Sequence, residues 1–418
     1  MHFRFTGLWR HSDFRKLWAG QTVSVFGSQI TFLALPLTAV LVLDATPAQM
    51  GFLTAVGGLP ALLTGLLAGA WIDRRHRRPI MIAADWGRAA LLLVVPIAHA
   101  LGVLHIGLLY VVSFGLGTFG LFFSIAYRSL LPSLVGREQI VEANSKLELS
   151  RSGGEVAAPG IGGLLVQIAT APIALLIDAF TFVVSALLLQ SMRTPEPERA
   201  PPEQRESLWK EAGEGLRVVV RNPVLRGLAG CAGTISLFST LLETVALLYM
   251  THQLDLNPGL IGLIFTVGGG GLVVGALLAE RVTRWIGLGP ALIGGVMLIA
   301  AADLVLPVAS GPLVAIVVLL AIGHFLFGVG LIYFNIGQVS LRQVITPDRL
   351  QGRMNATMTV VLVGTVPIGA ILGGALGETI GLRPTLFVAV AGELLAVSWL
   401  LLSPVRSLHE LEAPSANV

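Results

Sequence analysis

Apolar residues in this chain gather into long runs separated by short polar stretches, and nearly every run has the same length scale. Each holds about 20 or more mostly apolar residues, the length an α-helix needs to cross the hydrocarbon core of a bilayer. The runs are 15–43, 49–72, 79–99, 105–127, 142–167 and 171–192, then 224–250, 258–280, 288–309, 312–338, 352–379 and 382–403. They predict an all-α membrane protein with twelve transmembrane helices. Pro36, Pro60, Pro96, Pro159, Pro307 and Pro367 fall inside these runs or near their ends and read as kinks that a membrane helix tolerates. Glycine is abundant, at 49 residues, as close helix packing in lipid requires.

One polar stretch is longer than the rest. Residues 193–222 are charged and Pro-rich, then briefly amphipathic from about Ser207. They divide the runs six and six, which predicts an N-terminal bundle over 1–192, a cytoplasmic linker over 193–222 and a C-terminal bundle over 223–418. The halves repeat at an offset of 211 positions: Asn144 with Gly162 and Gly163 matches Asn355 with Gly373 and Gly374. Two pseudo-symmetric halves would place a substrate cavity at the membrane midplane.

Composition agrees. Hydrophobic residues make up 54% and charged residues 12%, against about 25% charged in soluble domains, and mean hydropathy is +0.82. A surface this apolar needs lipid as its solvent. The net charge of +3 does not point to nucleic acid, because the basic residues lie mainly between the runs. With the N-terminus in the cytoplasm, every Lys and Arg except Arg383 falls on the cytoplasmic side, so both termini are expected there. Residues 1–16, with Arg4, Arg10, Arg15 and Lys16, read as an amphipathic cytoplasmic arm and not as a cleavable signal. The lone cysteine, Cys231, excludes an internal disulfide, and no metal site or cofactor is implied.

Two motifs carry a family resemblance. Between the second and third runs stands Gly69-Ala-Trp-Ile-Asp73-Arg74-Arg75-His76-Arg77-Arg78. It resembles the major facilitator superfamily signature G-x-x-x-D-R-x-G-R-R/K at Gly69, Asp73, Arg74, Arg77 and Arg78, departing where His76 replaces glycine. The fifth run contains Gly154-Glu155-Val-Ala-Ala158-Pro159-Gly-Ile-Gly162-Gly163. This is similar to the antiporter motif G-x-x-x-G-P-x-x-G-G of the drug:H⁺ antiporter branch, with Ala158 in place of one glycine. The stretches beginning at Arg128, Asp178 and Thr346 resemble an exporter group that includes macrolide efflux proteins and the enterobactin exporter. The resemblance implies the major facilitator fold and a conformational gate at the first motif. It also implies a monomeric exporter of the bacterial inner membrane. Ser113 stands where many drug antiporters carry an arginine, which leaves that relay residue without a counterpart.

Charges at membrane depth cost about 2.5–3.5 kcal/mol on insertion scales, so each asks for a role. Glu243, flanked by Ser236, Ser239, Thr240 and Thr244, is the first candidate for proton coupling or substrate contact; structural pairing is the alternative. Asp178 reads as a structural hydrogen-bonding group. Asp303 and Glu393 rank second because their helices are peripheral in the resembled fold. His324 could relay protons but reads equally as packing. Glu148, Arg151 and Glu155 share one helix face and read as a gate contact, with Glu155 a minor coupling candidate. Asp85 and Arg88, three positions apart, are grouped with the network around Asp73. Gln21, Gln29 and Phe32, with Phe119, Phe122 and Phe123, are candidate cavity-lining residues for amphipathic or aromatic cargo.

The expected activity is secondary active export of a hydrophobic or amphipathic small molecule, drug, macrolide or siderophore-like, by alternating access with proton antiport. The other transport reading is a lipid or siderophore flippase-like exporter with different energy coupling. No Walker A loop, H-E-x-x-H or nucleophile constellation appears, so an ATP-driven pump or an enzyme is not expected.

Overall fold

The computed structural model describes residues 7–72, 74–136, 138–194 and 208–408. Asp73 of the first motif lies outside them. Among the described residues the chain is helical, with no strand. The first six long helices are α1 (Ser12–Leu43), α2 (Pro47–Ile72), α3 (Arg77–Ala100), α4 (Ile106–Val135), α5 (Ile140–Ala169) and α6 (Ala171–Gln190). A shorter α7 (Leu208–Arg221) precedes α8 (Pro223–His252), α9 (Pro258–Ile286), α10 (Leu288–Asp303), the single turn α11 (Val305–Val308), α12 (Leu313–Ile345), α13 (Asp348–Thr379) and α14 (Leu382–Leu401). Each apolar run is thus a helix, with α10 and α11 sharing one.

Ten helical segments among the described residues are long and apolar enough to cross a membrane, and α2 and α5 are not in that set. For α5 the cause is visible: its first half carries Glu142, Lys146, Glu148, Arg151 and Glu155. Several helices outrun their apolar cores. α4 continues to Val135, α9 to Ile286 and α12 to Ile345, because a helix does not have to end where lipid ends.

The chain forms two compact units, Met1–Ala45 with Val56–Glu203 and Asn257–Leu263, and Thr46–Ala55 with Gln204–Leu256 and Ile264–Val418. In the first, α1 packs on α5 and α6, while α3 packs on α4 and α6. The second repeats this plan: α8 packs on α13 and α14, and α10 on α12 and α14.

Glycine contacts make the repeat specific. A Cβ at Gly162 would lie 3.2 Å from Ile30 Cα, and one at Gly373 would lie 3.1 Å from Leu241 Cα, the matching pair 211 positions later. A Cβ at Gly163 would lie 2.8 Å from Gly262 Cα within the first unit. Its counterpart at Gly374 would lie 3.0 Å from Gly51 Cα within the second. Side chains at these four crossings would force the helices apart.

The N-terminal arm is held down. A 3₁₀ turn, Gly7–Arg10, seats Trp9 edge-on against Trp18 at 4.8 Å, with Lys146 of α5 4.6 Å over the Trp9 ring. Asp13 accepts from the Thr194 backbone and hydroxyl, both at 2.6 Å, and from Arg193 N at 2.8 Å. These bonds tie the start of α1 to the segment after α6.

Candidate functional site

Three acids rated separately from the sequence come together in the second unit, with Glu393 buried, Asp303 half-buried and Glu243 exposed. Glu393 of α14 is fully buried, and its Oε1 accepts from Ser239 of α8 at 2.7 Å. Its other oxygen, Oε2, has no hydrogen-bond donor. Asp303, the last residue of α10, lies within hydrogen-bonding reach of Glu393, and Glu243 of α8 is close enough to feel its charge. No basic side chain among the described residues pairs with any of the three.

Local sequence explains the geometry. Pro307 lacks an N–H and so cannot donate to the Asp303 carbonyl four residues back, and the helix breaks at Leu304. The break sets Asp303 at a discontinuity, where membrane proteins often build ion and substrate sites. Arg383, the one cation expected outside, donates from Nε to Pro307 O at 2.7 Å and secures that turn.

The polar residues around Glu243 do not serve it. Ser236 donates to Leu362 O at 3.0 Å, Thr240 to Ser236 O and Thr244 to Thr240 O, all backbone carbonyls. Ser239, read from the sequence as part of the Glu243 surroundings, is the partner of Glu393. Glu243 is exposed on the protein surface, whereas Glu393 is the enclosed member. The peripheral placement that ranked Asp303 and Glu393 second overlooked that α14 packs on both α8 and α10.

The first unit holds a second ionic network. Arg88 pairs with Asp85 one turn earlier on α3 and interacts with Asp178 of α6. Its guanidinium lies 4.4 Å from the Phe123 ring of α4 and 4.2 Å from the Phe182 ring of α6, a double cation–π sandwich. Asp178 accepts from Thr31 of α1 and, at 2.8 Å, from Thr181. A Cβ at Gly27 would collide with Asp178 Oδ1, so α1 crosses α6 at this carboxylate. The sequence grouped Asp85 and Arg88 with the cytoplasmic motif; they instead lie in the bundle interior with Asp178. Gly27 and Thr31, four positions apart on α1, form a small-residue pair of the kind that marks close membrane crossings, and this signal went unread.

Within the first motif, Arg78 donates from Nε to Leu189 O at 2.8 Å and from Nη2 to Gln190 O at 2.6 Å, capping the C-terminus of α6. Lys16 adds a bond to Ser191 O at 2.6 Å. Arg75 lies over the Trp71 ring. Arg74, His76 and Arg77 each have an interaction partner as well. Gly69 of the motif makes no close helix contact: nothing among the described residues stands within 4 Å of a Cβ placed there. In the second motif, Gly154 faces Val25 and Phe26 of α1, Gly162 faces Ile30, and Gly163 faces Pro258 and Gly262. Ala158 is buried, and the Pro159 carbonyl lies against Gly262. Two of the motif's three glycine contacts therefore serve α1 in the same bundle.

The remaining candidates separate. Glu155 joins Glu148 on Arg151, as the shared face predicts. His324 bonds Leu320 O at 3.3 Å and meets the Phe265 ring edge-on at 5.0 Å, a packing environment. Phe123 is buried on Arg88, Phe119 packs on Gly87, and Phe122 meets Trp71. These aromatics fill helix contacts; Phe123 is buried, and Phe119 and Phe122 are half-buried. Gln21 and Gln29 are half-buried and Phe32 is 62% exposed, all on α1.

Comparison with known proteins gives this helical frame its family. The Major Facilitator Superfamily sequence profile matches residues 17–361. The chain is 28% identical to the enterobactin exporter EntS of Salmonella typhi over 94% of its length and 92% of that protein's. It is 29% identical to the multidrug efflux pump Tap of Mycolicibacterium fortuitum, over 87% and 89% of the two chains. A bacterial homologue of the iron transporter ferroportin, solved in an inward-facing state, superposes with a TM-score of 0.71 at 20% identity, covering 95% of this chain and 99% of that one. A bacterial homologue of the lysosomal transporter Spinster also gives 0.71, at 15% identity, covering 98% and 100%. At such identities the solved structures speak for the fold alone. The repeated helix packing, the span pattern and the profile match together make this chain a multi-pass membrane protein that belongs to the Major Facilitator Superfamily.

Proposed function

We propose that this protein is a secondary active exporter of hydrophobic or amphipathic small molecules, driven by proton entry through alternating access. Export is supported by its similarity to an enterobactin exporter and a multidrug efflux pump. Proton coupling is supported by one observation above the others: the cluster of Glu243, Asp303 and Glu393 without a basic partner among the described residues. Like charges in a poorly polarisable interior repel strongly, and exchange of a proton is the simplest way for carboxylates to relieve that repulsion. Glu393 is the central residue of the cluster, because it touches both Ser239 and Asp303. Glu243 is its outer member, through which protons enter or leave.

On the cargo side, Gln21 and Phe32 are eleven positions apart, three turns of α1, and so share a face. They supply a polar and an aromatic contact for amphipathic cargo, with Gln29 beside them. The Arg88 network stands apart from transport chemistry and fixes α1 through Thr31.

The test is an accumulation assay in cells using ethidium, a macrolide and a catecholate siderophore, with and without an uncoupler. The proposal expects efflux of at least one probe, collapse with uncoupler, and loss in Glu393→Gln. Efflux that survives the uncoupler would favour the flippase-like reading with other energy coupling.

A further inference from the structure

The linker helix α7 ends at Arg221, and α8 begins at Pro223. Asn222 makes the break: its Oδ1 accepts from Val224 N at 2.9 Å and Leu225 N at 3.2 Å, and Pro223 follows at the first helical position. α8 is a membrane span whose start the positive-inside pattern assigns to the cytoplasm, and α7 is tied to it with one residue of slack, which puts α7 at the cytoplasmic surface. It folds back along the first turns of α13. A Cβ at Gly215 would lie 2.6 Å from Thr357 Oγ1 and collide with Arg353 O, and Glu214 pairs with Arg353. Val219, one turn on, is buried in a cluster with Leu225, Leu228, Met354 and Met358.

Glu214 and Val218 share that cover, through Arg353 and the same cluster, but two other ridges of α7 do not. Successive residues on a helix are about 100° apart. Next to the docked ridge of Gly215 and Val219 runs a ridge of Leu216 and Val220, which are 53% and 49% exposed. The next ridge is Arg217 and Arg221, both exposed. Docked, apolar and basic ridges thus follow one another around the helix. A helix that lies in the headgroup region, with one side on a transmembrane helix, needs that order: an apolar ridge toward the acyl chains, then cations at the level of the phosphates.

We propose that α7 is an interfacial anchor that inserts Leu216 and Val220 into the cytoplasmic leaflet and binds anionic phospholipid headgroups through Arg217 and Arg221. Two observations select lipid as the occupant. The apolar ridge lies on a helix that Asn222 alone separates from α8, a membrane span, and the adjoining cations complement an anionic headgroup. Arg226 of α8, which donates to Val220 O at 3.5 Å, adds a third positive charge at the same level. The inference does not depend on which cargo the protein moves or how transport is coupled.

The buried Cys231 is the only cysteine, so nitroxide labels can be placed singly in a Cys231→Ser background. Labels at Leu216→Cys, Arg217→Cys, Val219→Cys and Val220→Cys are read by power saturation in vesicles of phosphatidylglycerol with phosphatidylcholine. At 216 and 220, collisions with oxygen should exceed those with an aqueous nickel chelate several-fold. Position 217 should favour the chelate, and 219 should be shielded from both. Chelate-accessible labels at 216 and 220, or labels there shielded from both reagents, would overturn the proposal in favour of water or a protein partner. A second readout needs no label. Phosphatidylglycerol should raise the melting temperature of the wild-type protein more than that of Arg217→Gln/Arg221→Gln, and an equal rise in both would overturn headgroup binding.

Discussion

Ser239 of α8 donates a 2.7 Å hydrogen bond to Glu393 of α14, and this bond joins two helices that the sequence separates by more than a hundred residues. It fixes which oxygen of Glu393 is committed and which, Oε2, is buried without a donor. Interhelical hydrogen bonds in membranes average about 0.6 kcal/mol, with an upper value of about 1.7. Ser239→Ala should therefore lower stability by about 1 kcal/mol and reduce transport only partly. Thermal unfolding in detergent, set beside an efflux assay, checks both parts.

Arg88 answers to a different energy scale. Removing one partner of a buried ion pair typically costs about 3–5 kcal/mol, because the remaining charge is left uncompensated. Arg88→Ala would leave Asp85 and Asp178 facing each other across α3 and α6. Its yield as monodisperse protein should fall sharply. Arg88→Lys keeps the charge but loses the planar stack between Phe123 and Phe182, so it should sit between Arg88→Ala and wild type. Fluorescence-detected size exclusion ranks the three, and an Arg88→Ala protein as stable as wild type would remove the network's structural role.

The paired glycine crossings give a symmetry test. Gly163→Leu and Gly374→Leu each drive a side chain into the backbone of a short segment, Pro258–Gly262 in one case and Pro47–Gly51 in the other. Overpacking of this kind costs about 1–3 kcal/mol. Both substitutions should cut efflux by about tenfold or more while the protein still reaches the membrane. The same change at Gly69, where a Cβ meets nothing within 4 Å among the described residues, should be mild by comparison.

Arg78 caps the last carbonyls of α6, so Arg78→Gln should cost about 0.3–2 kcal/mol, the range for a cation at a helix C-terminus. Loss in thermal unfolding should appear without loss of cargo binding, measured by quenching of intrinsic fluorescence.

These cases show what a reading of the chain can and cannot reach. Apolar run length dictated the helices, since a bilayer imposes one length on every span, and the 211-residue offset foretold glycine contacts that the structure repeats in each unit. Helix ends were less legible: α4 passes Pro132 and reaches Val135, because a helix need not stop where the apolar run does. Side-chain partnership was least legible. Glu243, Asp303 and Glu393 were each visible as costly charges, but their meeting depends on how α8, α10 and α14 rotate about their axes. Spacing on one helix carries no such information. For the same reason Asp85 and Arg88 were grouped with their neighbours in sequence, whereas α6 supplies their actual partner, Asp178.

The central claim concerns the carboxylate cluster, and one measurement addresses it most directly. Purified protein is reconstituted in proteoliposomes carrying an internal pH dye and an imposed proton gradient, and a transported probe is added. Wild type should dissipate the gradient as the probe moves. Glu393→Gln should bind the probe yet fail to couple, and the triple variant Glu243→Gln/Asp303→Asn/Glu393→Gln should show no probe-dependent proton flux. Probe-dependent proton movement in the triple variant at the wild-type rate would contradict the account.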